Sequence, residues 1–170
     1  MSLPAPLLRL EALRSSHVGP VDLALDAGEC ICIMGRSGAG KSLFLRLVAD
    51  LDPGEGSVTL NGRSRASWSA PDWRRQVVYQ AAEPAWWAPT VAPHFPPEAV
   101  ERARACLAPL ELPPDALEME VARLSTGERQ RLALVRSLAR QPAVLLLDEP
   151  TASLDTASTT AMEALLLVRL

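Results

Sequence analysis

Short apolar runs separated by turn residues fill the first half of the chain, a pattern that predicts β-strands. Apolar and polar residues alternate over Val21–Leu25, and four runs of similar character cover residues 7–13, 30–34, 57–60 and 76–79. Between the third and fourth predicted strands, apolar residues repeat at the spacing of one buried helix face. These residues are Phe44, Leu47, Val48 and Leu51.

The last third of the chain returns to alternating helices and strands. Residues 128–140 predict a helix, and the run 143–147 is apolar at every position. Such a run suits a central parallel strand that is covered on both faces. An amphipathic segment follows from residue 156 onward. This order of elements predicts an α/β fold.

The middle of the chain differs in composition from both flanks. Eight of the 15 prolines fall between Pro84 and Pro114, and six of the seven aromatic residues lie between Trp68 and Phe95. Residues 98–107 predict a short helix there. We interpret about 83–124 as a helical subdomain inserted between two halves of an α/β core, 1–82 and 125–170, within a single domain.

Size and charge narrow the function classes. A chain of 170 residues is one ordinary domain, and its 17 basic and 20 acidic side chains argue against nucleic acid as the main partner. No apolar stretch approaches the roughly 18–20 residues of a membrane-spanning helix, and the first residues do not resemble a signal peptide. We therefore expect a cytoplasmic protein. Cys30 and Cys32 are expected to be small buried hydrophobic residues on one face of a strand.

The strongest chemical signal is a G-x-x-x-x-G-K-S motif between a predicted strand and a predicted helix. Its residues are Gly35, Arg36, Ser37, Gly38, Ala39, Gly40, Lys41 and Ser42. The glycines let the backbone turn so that its N–H groups point at phosphate oxygens, and the helix N-terminus adds its positive dipole end. Lys41 is expected to neutralise the β and γ phosphates of a nucleotide, and Ser42 to bind Mg²⁺.

Two carboxylates follow the apolar run at 143–147. Because ligands of parallel α/β folds bind at the carboxyl ends of the strands, Asp148 and Glu149 are expected at the nucleotide. Asp148 is placed to hold Mg²⁺ directly or through water. Glu149 is placed to orient and polarise the water that attacks the γ-phosphate. A second acid directly after the Mg²⁺ acid argues against a small-molecule kinase or a GTPase.

A third motif, Leu-Ser-Thr-Gly-Glu-Arg-Gln, opens the helix predicted at 128–140. Ser125 and Glu128 have the spacing of a capping box, which needs no ligand. The same helix start, with Gly127 allowing close backbone approach, also suits a second phosphate site. One nucleotide does not readily use both helix ends of one chain. The simplest arrangement is a pair of subunits, each lending this helix end to the other's nucleotide.

In their order and context, these motifs resemble the nucleotide-binding subunit of ATP-binding cassette (ABC) transporters. The resemblance covers residues 7–170 and includes the segment 153–155. It implies a P-loop NTPase fold of the ABC ATPase type, with a mainly parallel core sheet, an N-terminal antiparallel β part and the short helical subdomain. It also implies a head-to-tail homodimer, or paired cassettes, around two ATP·Mg²⁺. Asp155 then couples the two sites, and the partner's γ-phosphate meets Ser125, Thr126, Gly127 and Glu128.

The resemblance implies an ATPase at the inner face of the cell membrane that drives transport through a separate permease subunit and does not bind the cargo itself. Thr126 replaces the family's usual second glycine and Glu128 its usual glutamine, a form similar to that of a metal-export ATPase. Two other functions stay open. One is a truncated module that binds nucleotide without hydrolysis. The other is a soluble ABC-type ATPase of DNA repair or translation, although the coiled-coil insertions and zinc-binding cysteines of those relatives are missing.

Three positions depart from the family pattern. The family's Mg²⁺-sensing glutamine falls at Ala82 by counting, and Gln80, two residues earlier, is the alternative. His17 is the candidate in the loop where the family stacks adenine on an aromatic ring. The family's switch histidine requires about 20 residues of helix, connection and strand after Asp155. Because 15 residues follow Asp155, this switch region is expected to be absent.

Trp86, Trp87 and Phe95 lie in the proline-rich stretch, where the family receives a short cytoplasmic helix of its membrane partner. Large aromatic side chains are common anchors at protein interfaces. Packing of the loop against its own subdomain accounts for the same residues equally well. The sequence leaves both interpretations open.

Overall fold

Residues 5–169 are described by the computed structural model, and they divide after Tyr79 into two units, the second comprising Gln80–Arg169. Residues 1–4 and 170, which the single-domain prediction includes, lie outside the described residues. In the described range, no helix combines the length and the apolar character needed to cross a bilayer. The division into a core and an inserted subdomain stays a prediction.

The first unit is built on an antiparallel sheet of four strands in the order β2-β1-β3-β4. The strands are β1 (Leu8–Arg14), β2 (Val21–Leu25), β3 (Glu55–Leu60) and β4 (Arg63–Ser64). Leu8 of β1 pairs with Leu25 of β2 and with Leu60 of β3, so alternate residues of the three strands share a face. Leu8 and Leu60 are both 2% exposed on that face. The antiparallel N-terminal part is therefore confirmed.

The first unit also contains α1 (Lys41–Val48), a 3₁₀ turn (Arg65–Ser67) and α2 (Ala70–Gln76), which leads into β5 (Val77–Gln80). Helix α2 was not expected from apolar periodicity. Its first residue is nevertheless preceded by a favourable N-cap residue, Ser69, whose side chain accepts a hydrogen bond from the Asp72 N–H. Trp73 is fully buried, and its indole N–H donates to the Val48 carbonyl at 3.0 Å, which fastens α2 to the end of α1.

The strand expected at residues 30–34 is not formed. This segment makes no ladder with any described strand, and Ile31, Ile33 and Met34 are 36%, 40% and 89% exposed. The expectation that Cys30 and Cys32 are buried is wrong, because both are exposed. The physical reason is that an alternating apolar pattern concerns only the side chains. A β-strand also needs a neighbouring strand that makes hydrogen bonds with its backbone N–H and C=O groups.

The second unit holds three helices and one strand around its own core. These are α3 (Val100–Ala105), α4 (Thr126–Leu138), β6 (Val144–Leu147) and α5 (Thr156–Leu167). Four 3₁₀ turns connect them: Ala92–His94, Pro97–Ala99, Ala108–Leu110 and Val121–Arg123. The core is apolar, and its fully buried members include Leu110, Leu117, Leu132, Leu134 and Met162. The helix expected at 98–107 is shorter than predicted, since a 3₁₀ turn forms its first part.

Candidate nucleotide site

The phosphate loop, residues 35–42, leads directly into α1 in the first unit. Gly38 and Gly40 have φ angles of +78° and +88°, a region that side chains rarely adopt, and Gly40 is the N-cap residue of α1. The loop from residue 35 to 39 and the Ser42 side chain are exposed. This exposed, left-handed backbone is of the kind that forms an anion-binding concavity ahead of a helix N-terminus.

The ammonium group of Lys41 lies across this loop. Its Nζ donates to the Gly35 carbonyl at 3.0 Å and to the Arg36 carbonyl at 3.2 Å. The two carbonyls therefore hold the positive charge at the loop. A phosphate oxygen is a stronger acceptor for an ammonium group than these neutral carbonyls, because an ionised acceptor makes a charge-assisted hydrogen bond.

The turn at residues 15–18 lies against the same loop. A Cβ atom at Gly40 would lie 3.0 Å from Val18 Cγ2 and 3.4 Å from the His17 carbonyl oxygen, which explains why only glycine fits there. The turn is closed by a hydrogen bond of 2.8 Å from the Ser15 N–H to the Val18 carbonyl. His17 itself is exposed. The candidate for adenine stacking thus lies beside the phosphate loop.

In the second unit, β6 ends in the two predicted carboxylates. Asp148 is 5% exposed, and its backbone N–H donates to the Gln80 carbonyl at 3.0 Å. Glu149 follows with a φ angle of +45°, and its side chain is exposed. The hydrogen bond from the Ala152 N–H to the Glu149 carbonyl, 3.2 Å long, closes the turn. Neighbouring carboxylates therefore occupy different environments, one buried and one open to water.

Gln80 stands beside Asp148, but its side chain is used elsewhere. The residue is 4% exposed, and its Oε1 lies 3.1 Å from the Ser137 hydroxyl of α4, whose single hydrogen it shares with the Ala133 carbonyl at 3.0 Å. Its Nε2 has no hydrogen-bond partner among the described residues. Ser137 was missed in the sequence, where it reads as one polar residue on a helix. Gln80 therefore joins the strand edge at Asp148 to helix α4.

We expect Ser137→Ala to lower the free energy of unfolding by about 1–3 kcal/mol, because it leaves a buried carboxamide oxygen without its donor. Thr160→Ala is the matched control. The Thr160 hydroxyl donates to the Thr156 carbonyl four residues earlier, as the Ser137 hydroxyl does to the Ala133 carbonyl, but Thr160 is exposed and makes no bond to a carboxamide in the described part of the chain. Urea unfolding of both variants checks the difference. Equal stability of the two variants would contradict a structural role for the Gln80–Ser137 bond.

The signature segment forms the N-terminus of α4 as a capping box. The Ser125 N–H and hydroxyl both donate to Glu128 Oε2, at 2.8 and 2.7 Å, and the Glu128 N–H donates back to Ser125 Oγ at 3.2 Å. The hydroxyl bond, with the backbone bond second, lowers the pKa of Glu128 below its usual range. Ser125 and Thr126 are exposed. The capping role is thus established, and the exposed helix start remains accessible to a ligand.

Asp155 caps the following helix. Its Oδ1 accepts from the Ser158 N–H at 2.8 Å at the start of α5, and this bond lowers the pKa of Asp155. The segment before it approaches the signature, because a Cβ at Gly127 would lie 3.5 Å from Leu154 Cδ2 and 3.6 Å from the Ser153 carbonyl oxygen. The structure therefore brings the signature and the segment 153–155 together within the second unit.

The two capping carboxylates predict a loss of stability in acid. Because the folded-state pKa values of Glu128 and Asp155 lie below their ordinary values of 4.5 and 3.8, each stabilises the fold at neutral pH, and that contribution is lost as the pH falls through the folded-state values. We expect urea unfolding between about pH 7 and pH 3 to show a shallower acid loss for Glu128→Gln than for the wild type. The exposed Glu163→Gln is the control. An unchanged slope in Glu128→Gln would contradict the prediction.

The aromatic residues of the middle region have different environments. Phe95 is 5% exposed within the core, and Trp86 packs against that core. Trp87 is 66% exposed. Both tryptophan rings contact His94, with ring centroids 4.8 and 4.4 Å away. Packing therefore accounts for Phe95 and Trp86, whereas Trp87 presents an indole to solvent.

The donor set suits Mg²⁺ bound together with phosphate. In the part of the chain that the structure describes, no three His, Cys, Asp or Glu side chains come together as a metal cluster. Mg²⁺ does not require one, because it usually binds one or two carboxylates plus water and substrate phosphates. Asp148, in the second unit, and Ser42, in the first, each carry a hard oxygen donor of this kind.

Comparison with known proteins matches the same segments. A family profile described as ABC transporter matches residues 18–152. The chain is 41% identical over 151 residues to the aliphatic sulfonates import ATP-binding protein SsuB of Cupriavidus necator, covering 85% of this chain and 50% of that relative. It is 35% identical over 165 residues to the "Probable iron export ATP-binding protein FetA" of Escherichia coli, covering 89% and 73%. The chain thus spans about half the length of its sulfonate-import relatives.

A solved structure shows the same fold. The ATP-binding cassette MJ0796, in a dimeric post-hydrolysis state bound to ADP and Pi, superposes with a TM-score of 0.81 at 24% identity, covering 94% of this chain and 81% of that one. This likeness confirms the predicted α/β fold of the ABC ATPase type. The family match at 18–152 includes the phosphate loop, the signature and both carboxylates after β6. The chain belongs to the ABC transporter family.

Proposed function

We propose that this chain is the ATP-binding subunit of an ABC transporter, which binds and hydrolyses ATP as a head-to-tail dimer and drives transport through a separate membrane subunit. The observation that carries the proposal is the phosphate loop, with left-handed backbone at Gly38 and Gly40 and with the Lys41 ammonium held across it. The family match and the relatives' names, which describe ATP-binding proteins of import and export systems, support it.

The proposed chemistry assigns one task to each group of residues. Residues 35–42 enclose the phosphates, and Lys41 neutralises the β and γ oxygens. Ser42 and Asp148 hold Mg²⁺, which when bound neutralises further phosphate charge, and Gln80 remains a tentative further ligand. Glu149 accepts a proton from the attacking water at a carboxylate oxygen. The exposure of Glu149 and the burial of Asp148 agree with this division, because only the exposed carboxylate meets water freely.

The proposal includes a dimer in which the signature residues 125–128 contact the ATP held by the partner and Asp155 couples the two sites. The helix start is suited to this because Ser125 and Thr126 are exposed. The N-terminus of α4, which has 13 residues, adds its dipole. Gly127 supplies the close backbone approach. Its neighbours within the chain leave space for a methyl group, so its small size is not needed by the fold alone.

Gly127→Ala tests this dimer. The added methyl group would make ordinary contacts within the chain and slightly favour the helix, so stability should not fall. We expect ATP-dependent dimerisation, measured by light scattering in a Glu149→Gln background, to need roughly tenfold more ATP or to disappear, because a phosphate bond of about 1.5 kcal/mol is lost. Unchanged dimerisation would remove Gly127 from the interface.

We place the protein in the cytoplasm, bound to the inner face of the cell membrane through its permease partner. The exposed indole of Trp87 is our candidate contact for that partner, in keeping with the enrichment of tryptophan at interface centres. The relatives differ in the cargo and direction that their names give, sulfonate import for one and iron export for another. We therefore assign neither cargo nor direction. The chain is similar to a metal-export ATPase, as expected from its signature, and this similarity alone does not fix what it transports.

Equilibrium binding of Mg·ATP to the purified full chain tests the proposal directly. We expect saturable binding that unlabelled ATP displaces and that falls when Mg²⁺ is chelated. Titration with a fluorescent ATP analogue, followed by competition, measures both effects. A linear, non-displaceable signal up to millimolar nucleotide would reject the proposed function.

A second candidate is a module that binds nucleotide without turnover. One observation favours it: the Gln80 carboxamide is hydrogen-bonded to Ser137 and buried, which occupies the candidate Mg²⁺-sensing group. Steady-state phosphate release distinguishes the two. Turnover that disappears in Glu149→Gln would exclude the binding module, whereas tight Mg·ATP binding without turnover would support it.

A further inference from the structure

The imidazole of His94 is the centre of a buried aromatic cluster in the second unit. His94 ends the 3₁₀ turn Ala92–His94 and is 2% exposed. Its ring contacts Trp86 edge-on, at an interplanar angle of 73°, and Trp87 at 59°. Phosphate-site chemistry does not use His94. Its contacts with the partly buried Trp86 and the exposed Trp87 indicate a role in placing both indoles.

Both ring nitrogens of His94 are committed to the backbone. Nε2 lies 2.8 Å from the Trp87 N–H and 3.1 Å from the Ala88 N–H, and Nδ1 lies 3.0 Å from the Val91 carbonyl. Backbone N–H groups only donate, so Nε2 must carry a lone pair, and the ring proton is therefore on Nδ1, donating to Val91. The neutral ring thus fixes two consecutive peptides that carry the exposed Trp87. A proton on Nε2 would remove both acceptor bonds.

A cation also packs against these indoles. Arg136 of α4 places its guanidinium 4.8 Å from the Trp86 ring and 5.2 Å from the Trp87 ring, and its Nη1 donates to the Ala85 carbonyl at 3.0 Å. Burial, with Arg140 second, lowers the pKa of Arg136 to about 10, so the group is still charged at neutral pH. A charge on His94 would therefore form close to an existing positive charge.

The carboxylates around this cluster are already paired or lie at the surface. The Leu117 and Met119 carbonyls accept hydrogen bonds from the N–H groups at the start of the His94 turn. The segment 117–120 that provides them also carries Glu118 and Glu120. Glu118 is paired with Arg104, and Glu120 with Arg123. On the turn's own segment, Glu83 and Glu98 are exposed. Among residues 5–169, the contacts of the cluster thus give a protonated His94 ring a cationic neighbour and no carboxylate.

We infer that His94 is the positioning residue of the Trp86–Trp87 segment and that protonation of its Nε2 releases this segment. The neutral ring holds the peptides of Trp87 and Ala88, and the protonated ring gives them up. The link to a membrane partner rests on the proposed function, in which Trp87 is the contact. Acid would then loosen that contact through the loss of the two bonds to Nε2.

The test follows the indole N–H signals of the full ¹⁵N-labelled chain by NMR as the pH falls from about 8 to about 4, a range that extends well below the ordinary histidine value of about 6.5. The chain has four tryptophans, and Trp68 and Trp73 in the first unit serve as internal references. Trp86→Phe and Trp87→Phe assign the other two signals. We expect the Trp86 and Trp87 signals to shift in one protonation step while the references stay unchanged.

His94→Gln is the decisive variant, because its Oε1 can accept from the same two N–H groups and does not titrate. Its indole signals will have new positions because the imidazole ring that contacts both indoles is gone, but we expect these positions to show no step with pH. A step that persists in this variant, or no step in the wild type, overturns the inference. If the variant does not fold, the ¹⁵N chemical shifts of the wild-type imidazole decide. A proton on Nε2 at neutral pH would also overturn the inference. None of these readouts involves nucleotide or membrane, so they are independent of the proposed function.

Discussion

Lys41→Ala is expected to weaken Mg·ATP binding by roughly ten- to a hundredfold. The substitution removes a hydrogen bond to a charged group, worth about 1.5–3 kcal/mol, and each 1.4 kcal/mol is about tenfold in affinity. It also removes the two bonds from Nζ to the Gly35 and Arg36 carbonyls, so the loop loses its crossing ammonium. Calorimetric titration with Mg·ATP measures the change. Wild-type affinity in this variant would place the nucleotide elsewhere.

The composition of the chain allows a second, independent measurement at the same residue. Lys41 is the only lysine in the sequence. Acetylation by an amine-reactive reagent therefore reports on one side chain, with the N-terminal amine as internal control. We expect Mg·ATP to protect Lys41 in proportion to site occupancy and to leave the N-terminal amine unprotected. A rate of Lys41 labelling that saturating nucleotide leaves unchanged would contradict contact between Lys41 and phosphate.

Glu149→Gln is expected to lower the rate of phosphate release by roughly a hundredfold or more while leaving Mg·ATP affinity almost unchanged. A positioned general base contributes about 10²- to 10⁴-fold to rate. The carboxamide has nearly the same shape, so the backbone at φ +45° is not newly strained. Glu163→Gln, an exposed site on α5, is the control for general charge effects. Single-turnover phosphate release separates the chemical step from nucleotide binding.

A loss of affinity that parallels the loss of rate would show that Glu149 serves binding and not proton transfer. Equal rates in Glu149→Gln and the wild type would remove it from the reaction altogether. The neighbouring Asp148 provides a useful contrast. Because it is buried at the strand end, its replacement should affect binding of Mg·ATP and stability together.

Local chemistry made much of the site predictable. The phosphate loop, the capping box at Ser125 and Glu128, and strand β2 follow from glycine conformations, short side-chain bonds and alternation, all of which act within a few residues. The family resemblance then supplied the fold, which the MJ0796 cassette confirms. The roles of the individual site residues stay proposals.

Long-range partners could not be predicted in the same way. Residues 30–34 have a strand's alternation, but alternation does not say whether a neighbouring strand is present. The Gln80–Ser137 bond joins residues 57 positions apart, and nothing near either residue indicates the other. His94 reads as an ordinary loop histidine, and its contacts emerge only when the turn folds back on Trp86 and Trp87.

The capping box sets an energetic threshold for the proposed pairing of subunits. A serine hydroxyl carries one hydrogen, and in Ser125 that hydrogen is already given to the Glu128 carboxylate. A phosphate oxygen from a partner's nucleotide must therefore displace a negatively charged acceptor before it gains the bond. Water and neutral carbonyls accept hydrogen bonds less strongly than a carboxylate, so they compete poorly with Glu128 for the Ser125 hydrogen. A polyanionic phosphate can compete with it. The exchange of acceptors would thus make the signature respond selectively to highly charged phosphate.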